Sequence, residues 1–204
     1  MVVVALLLLP FAPAFPDFQS DADVIRLRHL AHYSELIEEY RERQGHYPFA
    51  GRYPEIPTYV LIANQEQESS TNSKNPNEHR RIEDSEFFAE LSTVLEREVE
   101  ERYDPQYVAR HRPNFYIYMV VRGEFFFAVH LNQELPFASK VGPHYNKVEV
   151  SSVPTDSNKA LAIDTLQADP TFRKLVDTEL PKQGFFDLRQ TEHRFDSKRS
   201  DGAE

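Results

Sequence analysis

The order of segments in this sequence predicts an α+β fold: a long N-terminal helix packed on a small antiparallel sheet with a central hairpin, plus a second amphipathic helix and short C-terminal helices. Three observations carry that expectation. Leu27, Leu30, Tyr33, Ile37 and Tyr40 recur at helical spacing and build one apolar stripe. Two aromatic and β-branched runs, Phe115 to Val121 and Glu124 to Leu131, flank the turn pair Arg122-Gly123. The elements run helix, strand, helix, hairpin, strand, short helices, and a hairpin joined to another strand makes an antiparallel sheet.

The first sixteen residues, Met1 to Pro16, contain no charged side chain and end in small residues at Ala12-Pro13-Ala14. This pattern predicts a secretory signal peptide over residues 1–14 and a mature chain that is periplasmic or secreted. The stretch is too short and too broken by Pro10, Pro13 and Pro16 to cross a bilayer as a helix, so no stable membrane span is expected in the mature chain.

A single α+β domain is expected over residues 20–186. Ser20 and Asp23 have capping-box spacing and predict a helix from Asp21 to Gln44, closed by Gly45 and Pro48. Tyr59 to Ala63 reads as a short buried strand. Residues 65–83 are polar and aperiodic and read as a mobile loop. A second helix is expected from Ser85, with Phe87, Phe88, Leu91, Val94, Leu95 and Val99 as its stripe and Asp104-Pro105 as its end. After the hairpin, Lys147 to Val153 predicts a third strand, and Ala160 to Leu166 and Pro170 to Leu180 predict short helices. Residues 187–204 are charged and aperiodic and predict a disordered tail. Phe125, Phe126 and Phe127 place aromatic rings on both faces of their strand, so cover is expected on both faces, a second helix being one candidate.

Composition narrows the function classes. Hydrophobic residues make up 40 % of the chain, with 15 Phe and 10 Tyr, enough for a sizeable core. The absence of cysteine excludes a disulfide framework, a thiolate metal site and a cysteine nucleophile, and suits a bacterial periplasm. A net charge of -10 disfavours nucleic acid and anionic membrane surfaces as partners. Much of the acidity lies between Gln65 and Asp104, where twelve carboxylates oppose five basic side chains.

No catalytic set, cofactor or metal is expected from the candidate residues. His29 and His32 share a helix face with Glu35 and Glu39 beyond them, a pair that lacks the third convergent ligand of a zinc site; the other reading is a polar flank beside the apolar stripe. His111, His130 and His144 lie near predicted strands, with Ser139 and Ser151 as the nearest hydroxyls. No Gly-x-Ser-x-Gly elbow or phosphate loop accompanies them. A hydrolase built from dispersed His and Glu residues is the weaker alternative, because triads are set by geometry rather than spacing. Glu96, Glu98, Glu100 and Glu101, expected at the end of the second helix, together with Asp104 form an acidic run suited to a partner protein with a basic surface. The expectation is therefore an exported, non-enzymatic protein-binding module, such as an inhibitor or an immunity protein against a toxin.

The helix running into Gly45-His46-Tyr47-Pro48 resembles the helix-to-sheet junction of type IV pilins and type II secretion pseudopilins, and the Tyr-rich hairpin from Asn114 to Leu135 resembles their sheet. The resemblance covers about 45 residues. It implies a pilin-like globular domain and, as an alternative function, a component of a secretion or filament system. Filament assembly in that family uses an unbroken apolar N-terminal helix, which Pro10, Pro13 and Pro16 interrupt here.

Overall fold

The structure, a computed structural model, describes residues 18–63, 79–106, 113–154 and 160–180. The expected signal peptide, residues 65–78 of the expected loop and the expected tail lie outside the described residues. Helix α1 (Phe18–Gln44) leads into β1 (Thr58–Ile62), β2 (Arg80–Ile82) and α2 (Asp84–Leu95). The chain continues through β3 (Tyr116–Val121), β4 (Glu124–Leu131), β5 (Ser139–Lys140) and β6 (Asn146–Ser151) to α3 (Ile163–Ala168) and α4 (Pro170–Val176). The strands form one six-stranded sheet in the order β2-β1-β3-β4-β6-β5, antiparallel except for the β1–β2 pair. The α+β class is what the segment order predicts.

The hairpin forms as its residues dictate. Val121 pairs with Glu124 across Arg122 (φ 52) and Gly123 (φ 79), the two left-handed positions that a tight two-residue turn needs. Strand alternation then sends Tyr116, Tyr118 and Val120 to one face together with Phe125, Phe127, Val129 and Leu131, all at most 2 % exposed. Onto this inner face α1 lays its stripe. The Tyr33 ring centroid is 5.4 Å from that of Phe127 and 6.1 Å from that of Phe88. Helix α2 joins the same face, with Phe87 stacked 5.0 Å from Tyr118. The second helix therefore does not cover the opposite face of β4, as the run of three phenylalanines suggested. There Phe126 and Met119 are paired neighbours and half-buried.

The junction after α1 is closed by Gly45, whose φ of 75° is open to glycine without strain and whose amide returns to the Arg41 carbonyl at 2.8 Å. Tyr47 then packs 4.5 Å from Phe125, and Tyr118 Oη donates to the Pro48 carbonyl at 2.8 Å. These contacts seat the turn on the sheet.

Three local expectations are corrected. Helix α1 begins at Phe18, so Ser20 is inside it and is not its cap; Asp23 accepts instead from the backbone amides of Asn132 (3.0 Å) and Gln133 (2.8 Å). Residues 80–82 of the expected loop form β2, whose Ile82 is buried while Arg80 is exposed. Helix α2 stops at Leu95 rather than near Asp104. Glu96 turns left-handed there (φ 55), and the amides of Glu96 and Arg97 both return to the Ser92 carbonyl. Val99 still reaches the core at 6 % exposed, its amide held by Ser92 Oγ at 3.1 Å.

A candidate interaction face on helix 1 and residues 96–103

Because α2 ends early, the acidic run is not a helix end. It is an irregular segment lying along α1. Three α1 side chains hold it. Tyr33 Oη accepts from the Arg102 amide at 2.7 Å and donates to the Arg102 carbonyl at 2.8 Å. His29 Nδ1 is 2.8 Å from Tyr116 Oη, which donates to the Tyr103 carbonyl at 3.2 Å; His29 is thus the donor to that oxygen. His32 faces the backbone of Glu100, and its Nε2 is buried without a hydrogen-bond partner. Burial, helped by the nearby Arg102 guanidinium, pushes the His29 imidazole down to about 4 and His32 in the same direction. Both rings are therefore neutral at pH 7. The polar-flank reading underestimates them, because they are enclosed by the segment itself.

A shallow cleft of about 230 Å³ opens between α1 and this segment, lined by His32, Glu35, Leu36, Glu39, Arg97 and neighbouring backbone. Leu36 and Val99 are its two apolar lining residues, 5 % and 6 % exposed. Arg97 bridges back to Glu39, and Arg102 pairs with Glu100 at 2.7 Å. Arg43 lies 3.8 Å from Glu96. Glu35, Glu42, Glu98 and Glu101 are exposed and pair with no basic side chain among the described residues. The face is consequently negative after its internal pairs are counted.

Asp104 does not belong to it. Its carboxylate is fully enclosed and takes both Nε (3.0 Å) and NH2 (2.9 Å) of Arg26, while NH1 of the same guanidinium reaches Asp23 at 2.5 Å. A surface role for Asp104 is corrected to an internal one. Burial raises its carboxyl to about 6 despite the guanidinium beside it. This cluster ties the end of the acidic segment, the start of α1 and the turn after β4 together. A signal for it existed: Arg26 stands in helical phase with Leu30, Tyr33, Ile37 and Tyr40, a charge on the core stripe that demands a buried partner.

The remaining candidates do not converge. His29 points to Tyr116 and His32 to Glu100, and no group of three or more ligating side chains occurs among the described residues. His130 pairs in register with Lys147, and Lys147 with Ser139, so Ser139 stands two strands from the imidazole, about 10 Å away. Ser151 pairs with Phe126 at the other end of β4, and its hydroxyl donates to the Val153 carbonyl at 3.0 Å. His111 lies outside the described residues. His144 is exposed in the turn before β6. No helix among the described residues is long and apolar enough to cross a membrane.

No protein-family model, curated protein or solved structure matches this chain.

Proposed function

We propose that this protein is an exported, non-enzymatic protein-binding module that recognises a basic partner through the face formed by α1 and residues 96–103. An inhibitor or an immunity protein against a toxin is the kind of role that fits. The observation that carries the reading is the set of exposed carboxylates at Glu35, Glu42, Glu98 and Glu101, left without basic partners among the described residues, two of which, Glu35 and Glu98, line the cleft. Such a field steers encounter with a positive surface. The test is capture of partners from periplasmic extract at low salt, with the full chain and with a Glu35→Gln, Glu98→Gln, Glu101→Gln variant side by side. One dominant basic protein, held by the natural sequence, lost by the variant and released at high salt, is the expected result. Equal capture by both chains would overturn the reading.

A pilin-like role rests on the Gly45–Pro48 junction, where a long helix hands over to the sheet. N-terminal sequencing of the exported protein separates the two: cleavage after Ala14 removes the apolar segment that filament assembly would use.

A further inference from the structure

Residues 96–103 are tied firmly at both ends and lightly between. At one end the chain leaves α2 through the left-handed Glu96; at the other Asp104 is buried on Arg26. Between these anchors Val99 is buried in the core and Tyr103 is half-buried against it, its ring 6.4 Å from that of Phe88. The remaining attachments run from α1 side chains to backbone, Tyr33 to Arg102, His32 against Glu100, and His29 through Tyr116 to Tyr103, together with the exposed ion pair of Arg97 with Glu39.

We propose that residues 96–103 form a strap that closes on α1 while His29 and His32 are neutral and lifts from it when they take up protons. The geometry gives the reason. A protonated His29 would be enclosed beside the Arg102 guanidinium and next to His32, with Tyr33, Tyr103 and Tyr116 as its other ionisable neighbours and Glu100 as the nearest carboxylate. A protonated His32 would meet Arg102 and Arg97, offset by Glu100 and by Glu35, Glu39 and Glu98 around the cleft. Lifting the strap returns both rings to water and carries Arg102 away with it.

The direction follows from linkage. The closed form holds His29 neutral down to about pH 4, whereas the lifted form protonates it near the ordinary value of 6.5. Between those limits the lifted form binds more protons, so closure weakens as pH falls. For His29 alone the lifted-to-closed ratio rises by about 100-fold between pH 7 and pH 4. His32 adds to it with the same sign. The inference concerns the chain alone and holds whether or not the proposed partner exists.

The test is amide hydrogen exchange on the full chain between pH 7 and pH 4, corrected for the intrinsic rate at each pH. The amides of Val99 and Arg102 are expected to lose protection by about two orders of magnitude relative to those of Tyr118 and Phe127. A His29→Gln, His32→Gln variant keeps polar side chains that do not titrate, and its strap is expected to show no such loss. Strap and hairpin opening together, or the variant releasing its strap like the natural chain, would overturn the proposal. Should that variant not fold, the imidazole nitrogens of the natural chain decide. Titration of His29 below 6.5 with the strap amides losing protection between pH 6.5 and 4 supports the strap. Titration near 6.5 with those amides unmoved refutes it.

Discussion

The hairpin of β3 and β4 and the segment 96–103 both lie against α1, and they are held there by different physics. The hairpin presents Tyr116, Tyr118, Phe125, Phe127, Val129 and Leu131 to the helices, each fully buried, and each strand is paired on both sides. The segment presents one buried valine and the half-buried Tyr103, and otherwise depends on a tyrosine, two histidines, an exposed ion pair of Arg97 with Glu39 and a buried one at its far end. Apolar burial is non-directional and indifferent to pH. Bonds from neutral imidazoles and a phenol are directional and fail when a proton or a side chain changes. The difference divides the molecule into a rigid support and a more lightly held segment, the one proposed above as a recognition face.

Truncation of the support gives the largest expected effect. Phe127→Ala removes a ring in contact with Tyr33 and Tyr116 at the centre of the core. A loss of about 3–5 kcal/mol is expected, read as a lower urea midpoint, with hairpin and segment unfolding in one transition. Two separated transitions would break the idea that the segment rides on the hairpin's core.

Arg26→Ala comes next, at about 3 kcal/mol or more, because it leaves Asp23 and Asp104 enclosed without their guanidinium. Its signature differs from that of Phe127→Ala. Hydrogen exchange is expected to rise first at the end of the segment and at Asn132 and Gln133, whose amides depend on Asp23. Uniform loss of protection would mean that the cluster supports the whole core rather than the edge of the recognition face.

What the sequence reveals divides along the same line. The stripe from Leu27 to Tyr40, the turn at Arg122-Gly123 and the alternation along β4 are periodic signals, and the structure follows them within a few residues. The end of α2 is not periodic. Val99 sits four residues after Leu95, in perfect helical phase, and neither glycine nor proline marks a stop. Ser92 ends the helix by accepting from Glu96 and Arg97 on its carbonyl and by capping Val99 with its hydroxyl. Those contacts exist only in three dimensions. Strand β2 escaped notice for a related reason: a three-residue parallel edge needs a single buried residue, Ile82, and carries two arginines. The recognition face is legible as charge but not as geometry, since acidity is written in composition while the separation of Asp104 from its neighbours depends on Arg26, 78 residues earlier.

A pH series sharpens the contrast within the support itself. Burial between Phe115 and Tyr145 pushes the His130 imidazole down to about 4. Its folded value lies below its unfolded value of 6.5, so its contribution is complete above pH 6.5 and is lost as pH falls toward 4. Asp104 has the opposite sign, because its folded value near 6 exceeds the unfolded 3.8 and it gains stability over that interval. The two partly cancel. Removing one exposes the other: the slope of unfolding free energy against pH is expected to be lower for His130→Leu than for the natural chain by about 1 kcal/mol per unit between pH 6 and 4.5, leaving the Asp104 trend, in which stability rises as pH falls, uncompensated. Parallel curves for the two proteins would show that His130 is hydrated in solution.

The smallest expected change in stability is also the most telling for function. Glu98 and Glu101 are exposed on the recognition segment and pair with no basic side chain among the described residues, so Glu98→Gln with Glu101→Gln is expected to move the unfolding free energy by less than about 0.5 kcal/mol. The same pair of changes removes two negative charges from the face proposed to steer a basic partner. With an oligolysine peptide as probe, the association rate at low ionic strength is expected to fall several-fold, and the difference is expected to vanish by about 0.5 M salt, where the screening length is only a few ångströms. A rate that falls equally for the control Glu55→Gln, Glu124→Gln would mean that net charge attracts the probe and the face does not. A rate unchanged by Glu98→Gln and Glu101→Gln would place recognition elsewhere on the molecule and leave the segment as part of the scaffold.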